Sequence, residues 1–199
     1  MFGEKGNKTM KIGFLGVGGT GKSTTLNLLE ELNLPRLGSV SRSIFQKHGV
    51  TESSLIEQPV DVCLRIQREI FEAKLKSDFD FKYGLSERTL LDTYCYMLMW
   101  CHRGMSDHLV KSLEIVTEEN LKQYSMLFLF STKYHFKPAD GFRASGLAQS
   151  YIIEALLVGN LRKFGFPYLE VPAGCPDERA NFVEFEIKRV QHNANTKEY

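Results

Sequence analysis

The chain has no apolar run near the roughly 20 residues that a bilayer-spanning helix needs. Its opening residues, MFGEKGNKT, contain no hydrophobic stretch of signal-peptide character. No membrane association is expected, and the predicted setting is cytoplasmic. Cysteines are few: Cys63, Cys95, Cys101 and Cys175 form no Cys-x-x-Cys pair, which argues against a zinc ribbon or a disulfide scaffold. Histidines number five, and no two sit at metal-ligand spacing. Charge of one sign is also lacking. With 25 basic and 24 acidic side chains the net charge is +1, so no global field draws the chain to a polyanion, and any nucleic-acid affinity must be local. Also missing is the Asn-Lys-x-Asp motif by which a GTPase reads guanine.

What is present suits one compact domain. A chain of 199 residues that is 43% hydrophobic can bury a core without disulfides or structural metal. Residues 1–9 read as a flexible leader or a vector-derived remnant, and 10–199 as a single domain. Lys11–Val17 is a short apolar run bounded by glycine, followed by a helical pattern over 22–32. A weak second strand is predicted within 34–42 and a helix over 59–76. A strand is expected over 79–85, with helices over about 88–102 and 106–123. The apolar run Met126–Phe130 reads as a buried strand, 147–164 as a helix, 167–173 as the last strand and 176–190 as the last helix. Strands alternating with helices predict an α/β, three-layer P-loop NTPase fold with a central, mostly parallel sheet of about five strands.

The most specific signal is Gly16-Val17-Gly18-Gly19-Thr20-Gly21-Lys22-Ser23. It satisfies G-x-x-x-x-G-K-[ST] between a predicted strand and a predicted helix. The glycines let consecutive backbone N–H groups face phosphate oxygens, the helix N-terminus adds a positive dipole end, and Lys22 supplies a point charge. The Ser23 hydroxyl suits Mg²⁺. Thr24 either touches the α-phosphate or is a tolerated surface residue.

A second constellation is Ser86-Glu87-Arg88-Thr89-Leu90-Leu91-Asp92-Thr93-Tyr94, at the end of the third predicted strand. Functional groups of an open α/β sheet gather at the carboxyl ends of its strands, so Glu87 and Arg88 should face the phosphate loop. A carboxylate there orients Mg²⁺ or accepts a proton from an attacking hydroxyl. The plainer alternative is a helix start, with Ser86 as cap and Glu87 favouring the dipole. Asp92 lies one helical turn beyond Arg88 and is either a substrate contact or base, or a brace for Arg88.

On the acceptor side, Arg42, Gln67 and Arg68 are candidate substrate contacts. An arginine fork suits phosphate, and a glutamine amide pairs with a base edge. Solvent-facing roles are the alternative for all three. Tyr94, Tyr96, Phe136 and Trp100 offer stacking surfaces, with Trp100 read as core. His135 is the one histidine of interest.

Together these motifs resemble P-loop kinases of the thymidylate-kinase and NadR-like type, which pair the phosphate loop with a strand-end Asp-Arg. Here Glu87-Arg88 stands where Asp-Arg is usual. The resemblance implies an ATP-dependent phosphotransferase with ATP and Mg²⁺ as cofactors. Ser23 and Glu87 would serve the metal. Asp140-Gly141-Phe142-Arg143 is similar to the entry to a lid helix, and Arg143 would then close over the phosphates. The stretch from Val171 to Arg179 resembles the adenine-side loop, implicating Gly174 and Arg179. Within this group the chain looks most like phage enzymes that phosphorylate 5-hydroxymethyluracil in DNA, which implies a pyrimidine acceptor within DNA and a host-cytoplasmic setting. A free deoxynucleoside or nucleoside monophosphate is the alternative acceptor, and an ATP-driven switch or ATPase is the alternative from another class. The oligomeric state is left open, a homodimer included.

Overall fold

The computed structural model describes residues 10–133 and 146–196, with side chains through 192. Five parallel strands form one sheet: β1 (Lys11–Leu15), β2 (Arg36–Leu37), β3 (Gly84–Glu87), β4 (Met126–Leu129) and β5 (Leu169–Glu170), in the order β2-β3-β1-β4-β5. The first strand is therefore central. Ile12 pairs in register with Leu85 on one side and Met126 on the other.

Eight α-helices flank the sheet within the described residues: α1 (Lys22–Asn27), α2 (Ser41–Lys47), α3 (Glu52–Leu55), α4 (Val60–Asp80), α5 (Leu90–Cys101), α6 (Asp107–Leu121), α7 (Leu147–Phe164) and α8 (Pro176–Thr196). Alternation along β1 and β4 explains why both faces are covered. Ile12, Phe14, Met126 and Phe128 pack under α1 and α8, with the Phe14 and Phe128 rings stacked at 5.5 Å. Leu15, Leu127 and Leu129 turn to the opposite face, where Leu91, Tyr94, Leu121, Ile153 and Leu157 of α5, α6 and α7 meet them. A third cluster, including Phe45, Leu55, Ile66 and Ile70, ties α2 and α3 to α4. None of the helices so described is long and apolar enough to cross a membrane.

The sheet agrees with the sequence reading, but several boundaries move. The helix after the phosphate loop ends at Asn27 and passes into a single 3₁₀ turn, Glu30–Leu32. The strand expected over 79–85 is instead helix as far as Asp80. Strand pairing starts only at Gly84, whose positive φ of 116° and close approach to the Pro35 carbonyl mark the turn into β3. The weak strand read within 34–42 is present as β2, while helices α2 and α3, in the stretch that follows it, had no counterpart in the sequence reading.

Candidate active site

The phosphate loop leaves the end of β1 and wraps onto the first turn of α1. Two of its glycines are required by geometry. Gly16 sits at φ 133°, and a Cβ there would lie 2.5 Å from the Phe130 carbonyl oxygen. Gly21, at φ 89°, leaves room for the Arg179 guanidinium, whose Nη1 is 2.3 Å from where a Cβ would stand. Lys22 is buried and donates from Nζ to the carbonyls of Gly16 (2.5 Å) and Val17 (2.7 Å). Thr20 closes the loop by donating to the Val17 carbonyl at 2.9 Å. Thr24 is exposed beside it.

Strand β3 ends next to this loop because β1 and β3 are paired, with Phe14 opposite Glu87. The Ser23 hydroxyl donates to Glu87 Oε1 at 2.5 Å. This pair of hard oxygen donors at the mouth of a phosphate-binding loop fits Mg²⁺, which prefers a few protein oxygens completed by water and phosphate. Arg88 adopts φ 72°, the left-handed region that favours glycine. Its Nη1 donates to the Gly16 carbonyl at 3.3 Å and lies 3.6 Å from Asp92 Oδ1, while its guanidinium covers the Tyr96 ring at 5.2 Å. Burial works against its charge, but Tyr96, Asp92, Glu52 and Glu87 outweigh burial and hold its pKa above the ordinary arginine value.

Asp92 is fully buried and has both carboxylate oxygens engaged. Oδ1 accepts from Gly16 N at 3.1 Å, and Oδ2 accepts from Thr89 N at 2.8 Å and Thr89 Oγ1 at 3.2 Å. It caps α5 and anchors the loop in one contact set, and it does not line the cleft described next. Of the two roles read from the sequence, this is the geometry of the brace. Tyr96 adds a second anchor, its hydroxyl accepting from Gly18 N at 3.3 Å.

A cleft of about 440 Å³ opens between the phosphate loop, α2, α3, α4 and α5. Ser23, Glu87 and Arg88 line it beside the phosphate loop. Arg42 and Gln67, two of the candidate substrate contacts, line it, and Tyr96 and Trp100 supply an aromatic wall with ring centroids 4.8 Å apart. Arg68 is a correction: it is exposed and belongs with Asp61, Arg65 and Glu72 on another face of α4, because a neighbour in sequence on a helix is turned by about 100°. Trp100 is a second correction, being half-buried on the cleft wall rather than closed in the core. Tyr94 does lie in the core. The sequence reading missed Glu52 and Lys74, which also line the cleft. Both sit on helices with no motif around them, and only the packing of α3 and α4 brings them there.

Of the stretch whose resemblance implied an adenine-side loop, Gly174 lies in the exposed turn after β5 at φ 157°. Arg179, at the start of α8, is 2% exposed and donates from Nη1 to the Thr20 carbonyl at 3.2 Å, so it meets the loop itself rather than open space. On the far flank Glu154 of α7 accepts from Ser131 Oγ at 2.6 Å, Thr132 N at 2.6 Å and Thr132 Oγ1 at 2.7 Å, fixing the chain as it leaves β4. The candidate lid residues Asp140 to Arg143, with His135 and Phe136, lie outside the described residues.

A Gly-rich loop between a central parallel strand and a helix, with the carboxylate and arginine of the neighbouring strand beside it, defines the P-loop nucleoside-triphosphate-binding class. A family model described as "AAA domain" matches residues 11–179, and the chain belongs to that family. Solved structures share the fold. A deoxyadenosine kinase from M. mycoides with bound dCTP aligns with a TM-score of 0.62 at 14% identity, covering 90% of this chain and 100% of that one. A NadR protein in complex with NR aligns with a TM-score of 0.60 at 12% identity over 82% of this chain, which spans only 43% of that one. Shikimate kinase from Acinetobacter baumannii in complex with shikimate gives a TM-score of 0.55 at 16% identity, covering 93% and 94%. Comparison with curated protein sequences returns no match.

Proposed function

We propose that this chain is an ATP-dependent kinase that transfers the γ-phosphate to a hydroxyl of a base-bearing acceptor held in the cleft. One observation carries the reading: the residues suited to phosphate and metal, Ser23, Glu87 and Arg88, line the same cavity as the acceptor-side residues Arg42 and Gln67. Donor and acceptor halves then meet without any rearrangement of the sheet.

Gly16 to Ser23 would hold the triphosphate, and Ser23 with Glu87 would hold Mg²⁺, which supplies charge neutralisation across the phosphate oxygens. Arg88 and Lys22 contribute fixed positive charge where the transferring group develops negative charge. Two carboxylates line the cleft. With Glu87 beside Ser23, Glu52, which lines the cleft near Arg88 and Tyr96, would accept a proton from an acceptor hydroxyl. Asp92 works through Gly16 and Arg88 as a positioning residue. Arg143, Thr24, Gly174 and Arg179 complete the proposed nucleotide side, with Arg179 acting by supporting Thr20.

The neutral Gln67 amide and the Tyr96–Trp100 wall favour a nucleobase, whose edge takes two hydrogen bonds and whose face stacks. The most specific acceptor consistent with the sequence resemblance is the hydroxymethyl group of 5-hydroxymethyluracil in DNA, turned out of the stack. Several M. mycoides deoxyadenosine kinase structures share the fold and bind deoxynucleotides, which supports a free deoxynucleoside as the competing acceptor.

The test is transfer of label from γ-labelled ATP with Mg²⁺, offering hydroxymethyluracil DNA, matched thymine DNA, free deoxynucleosides and monophosphates in parallel. Label in any acceptor, lost by about 10²–10³-fold in Lys22→Ala, is the expected result. Label confined to hydroxymethyluracil DNA selects that acceptor. Free phosphate with no labelled acceptor overturns the kinase reading in favour of an ATPase.

A further inference from the structure

The left-handed turn at Arg88 is held by a buried relay that the phosphate-loop motif does not mention. A non-glycine residue at φ 72° carries about 1–3 kcal/mol of backbone strain and persists only where its surroundings over-determine it. Ser86 Oγ spans the turn, donating to the Arg88 carbonyl at 2.9 Å. That same oxygen accepts from Lys74 Nζ at 2.9 Å. Lys74 is in turn fixed by Asp78 Oδ1 at 2.9 Å, one turn along α4. The Asp78 oxygen also takes the Tyr124 hydroxyl at 2.9 Å and lies 3.4 Å from Lys11 Nζ, which donates to the Asp78 carbonyl at 2.8 Å.

Every member is buried, Tyr124 the least so at 8% exposed. Ser86 and Asp78 are 0% exposed, and Lys11 and Lys74 are 1%. Two ammonium groups share one carboxylate, and Asp78 Oδ2 has no partner. Such a set is a poor source of stability, since desolvating three charges offsets much of their attraction. Its output is positional. It pins the residue before Glu87 and the carbonyl of Arg88, so the two side chains between leave the strand in fixed directions, one to Ser23 and one to Gly16.

We propose that Lys74 and Ser86 are positioning residues for phosphoryl transfer, locking the Glu87–Arg88 turn so that the carboxylate meets Ser23 while the guanidinium holds the phosphate loop. The assignment deepens the kinase reading and rests on it for its kinetic consequence. Its structural half stands separately.

Ser86→Ala removes a single oxygen, and Lys74→Met removes the ammonium while keeping the length. Each should lower kcat by about ten- to a hundredfold, as misplacement of catalytic groups by about an ångström does, and in Ser86→Ala, whose side chain does not line the cleft, the acceptor KM should stay nearly unchanged. In a background lacking both side chains that the turn aims, Glu87→Gln with Arg88→Ala, Ser86→Ala should cost less than about twofold more, because it acts through those two groups. Arginine side-chain Nε–H NMR gives the activity-independent readout. The Arg88 resonance, assigned by its loss in Arg88→Lys, should broaden or shift in Ser86→Ala. If Lys74→Met fails to fold, Tyr124→Phe, which deletes one hydroxyl of the same relay, takes its place with a smaller effect in the same direction. An unmoved Arg88 resonance, or rate losses that simply multiply with Glu87→Gln plus Arg88→Ala, overturns the proposal. Wild-type protein that labels no acceptor, yet shows the Arg88 shift in Ser86→Ala, overturns the kinase reading and leaves the relay standing as a phosphate-loop lock.

Discussion

At the scale of single residues, the phosphate loop is the part most fully written in the sequence. Fixed spacing of Gly16, Gly21, Lys22 and Ser23 encodes a backbone shape, and the structure shows why two of the glycines tolerate nothing larger. Gly16→Ala would drive a Cβ into the Phe130 carbonyl at a φ of 133°. The expected loss is about 1–3 kcal/mol of stability, read as a lower midpoint in urea unfolding, together with weaker nucleotide binding. Glu87 and Glu52 separate by their dependence on solution conditions. Glu87→Gln should raise the Mg²⁺ concentration for half-maximal rate by about tenfold or more, whereas Glu52→Gln should lower kcat even at saturating Mg²⁺. Equal Mg²⁺ dependence in both variants would remove Glu87 from the metal.

Elements explain what the sequence left illegible. Amphipathic spacing marks α4, but its register against the cleft is set by tertiary packing. Gln67 and Arg68 therefore looked equivalent in sequence although one is 2% exposed on the cleft and the other is exposed on another face. Gln67→Ala should raise the acceptor KM while Arg68→Ala leaves both kcat and KM within about twofold, as measured by steady-state kinetics. Local propensity misplaced the start of β3, since the stretch Ser77–Asp80, with Phe79 between two aspartates, continues a helix as readily as it opens a strand, and only pairing with β1 shows that the strand begins at Gly84. Helices α2 and α3 went unread for the same reason. They are short, and Phe45 and Leu55 are held by contact with α4 rather than by periodicity. Asp92 shows an element acting on a loop. Its cap on α5 and its bond to Gly16 N are one side chain, so Asp92→Ala should lower stability by about 1–2 kcal/mol and weaken ATP binding in parallel. Loss of one without the other would separate the two roles.

For the whole molecule, alkaline pH is the revealing variable. Burial, followed by the nearby Glu114 and Cys95, pushes the Tyr94 phenol up to about 12. Burial and then Asp78 raise Tyr124 well above its ordinary value. A tyrosine that ionises more readily unfolded than folded contributes stability that is whole below about pH 10 and is lost as pH climbs through its folded pKa. Lys74 and Lys11 act oppositely: burial first, against the pull of Asp78, lowers both, so the folded state binds fewer protons there and gains as pH rises toward 10.5. Urea unfolding followed from pH 9 to 12 should show a net fall in stability, and Tyr94→Phe should make that fall shallower. An unchanged slope would mean that the Tyr94 ring reaches water in the folded state.

The central place of β1 has a consequence for synthesis on the ribosome. Its strand partners lie far downstream, Gly84 opposite Lys11 and Met126 opposite Ile12. At about 5–20 residues per second, the first strand made must wait on the order of ten seconds before both of its edges can be covered. The segment that ends up most deeply enclosed is thus the one longest exposed during translation, and the rate of elongation through residues 85–126 governs how long the nascent chain carries an open, aggregation-competent edge.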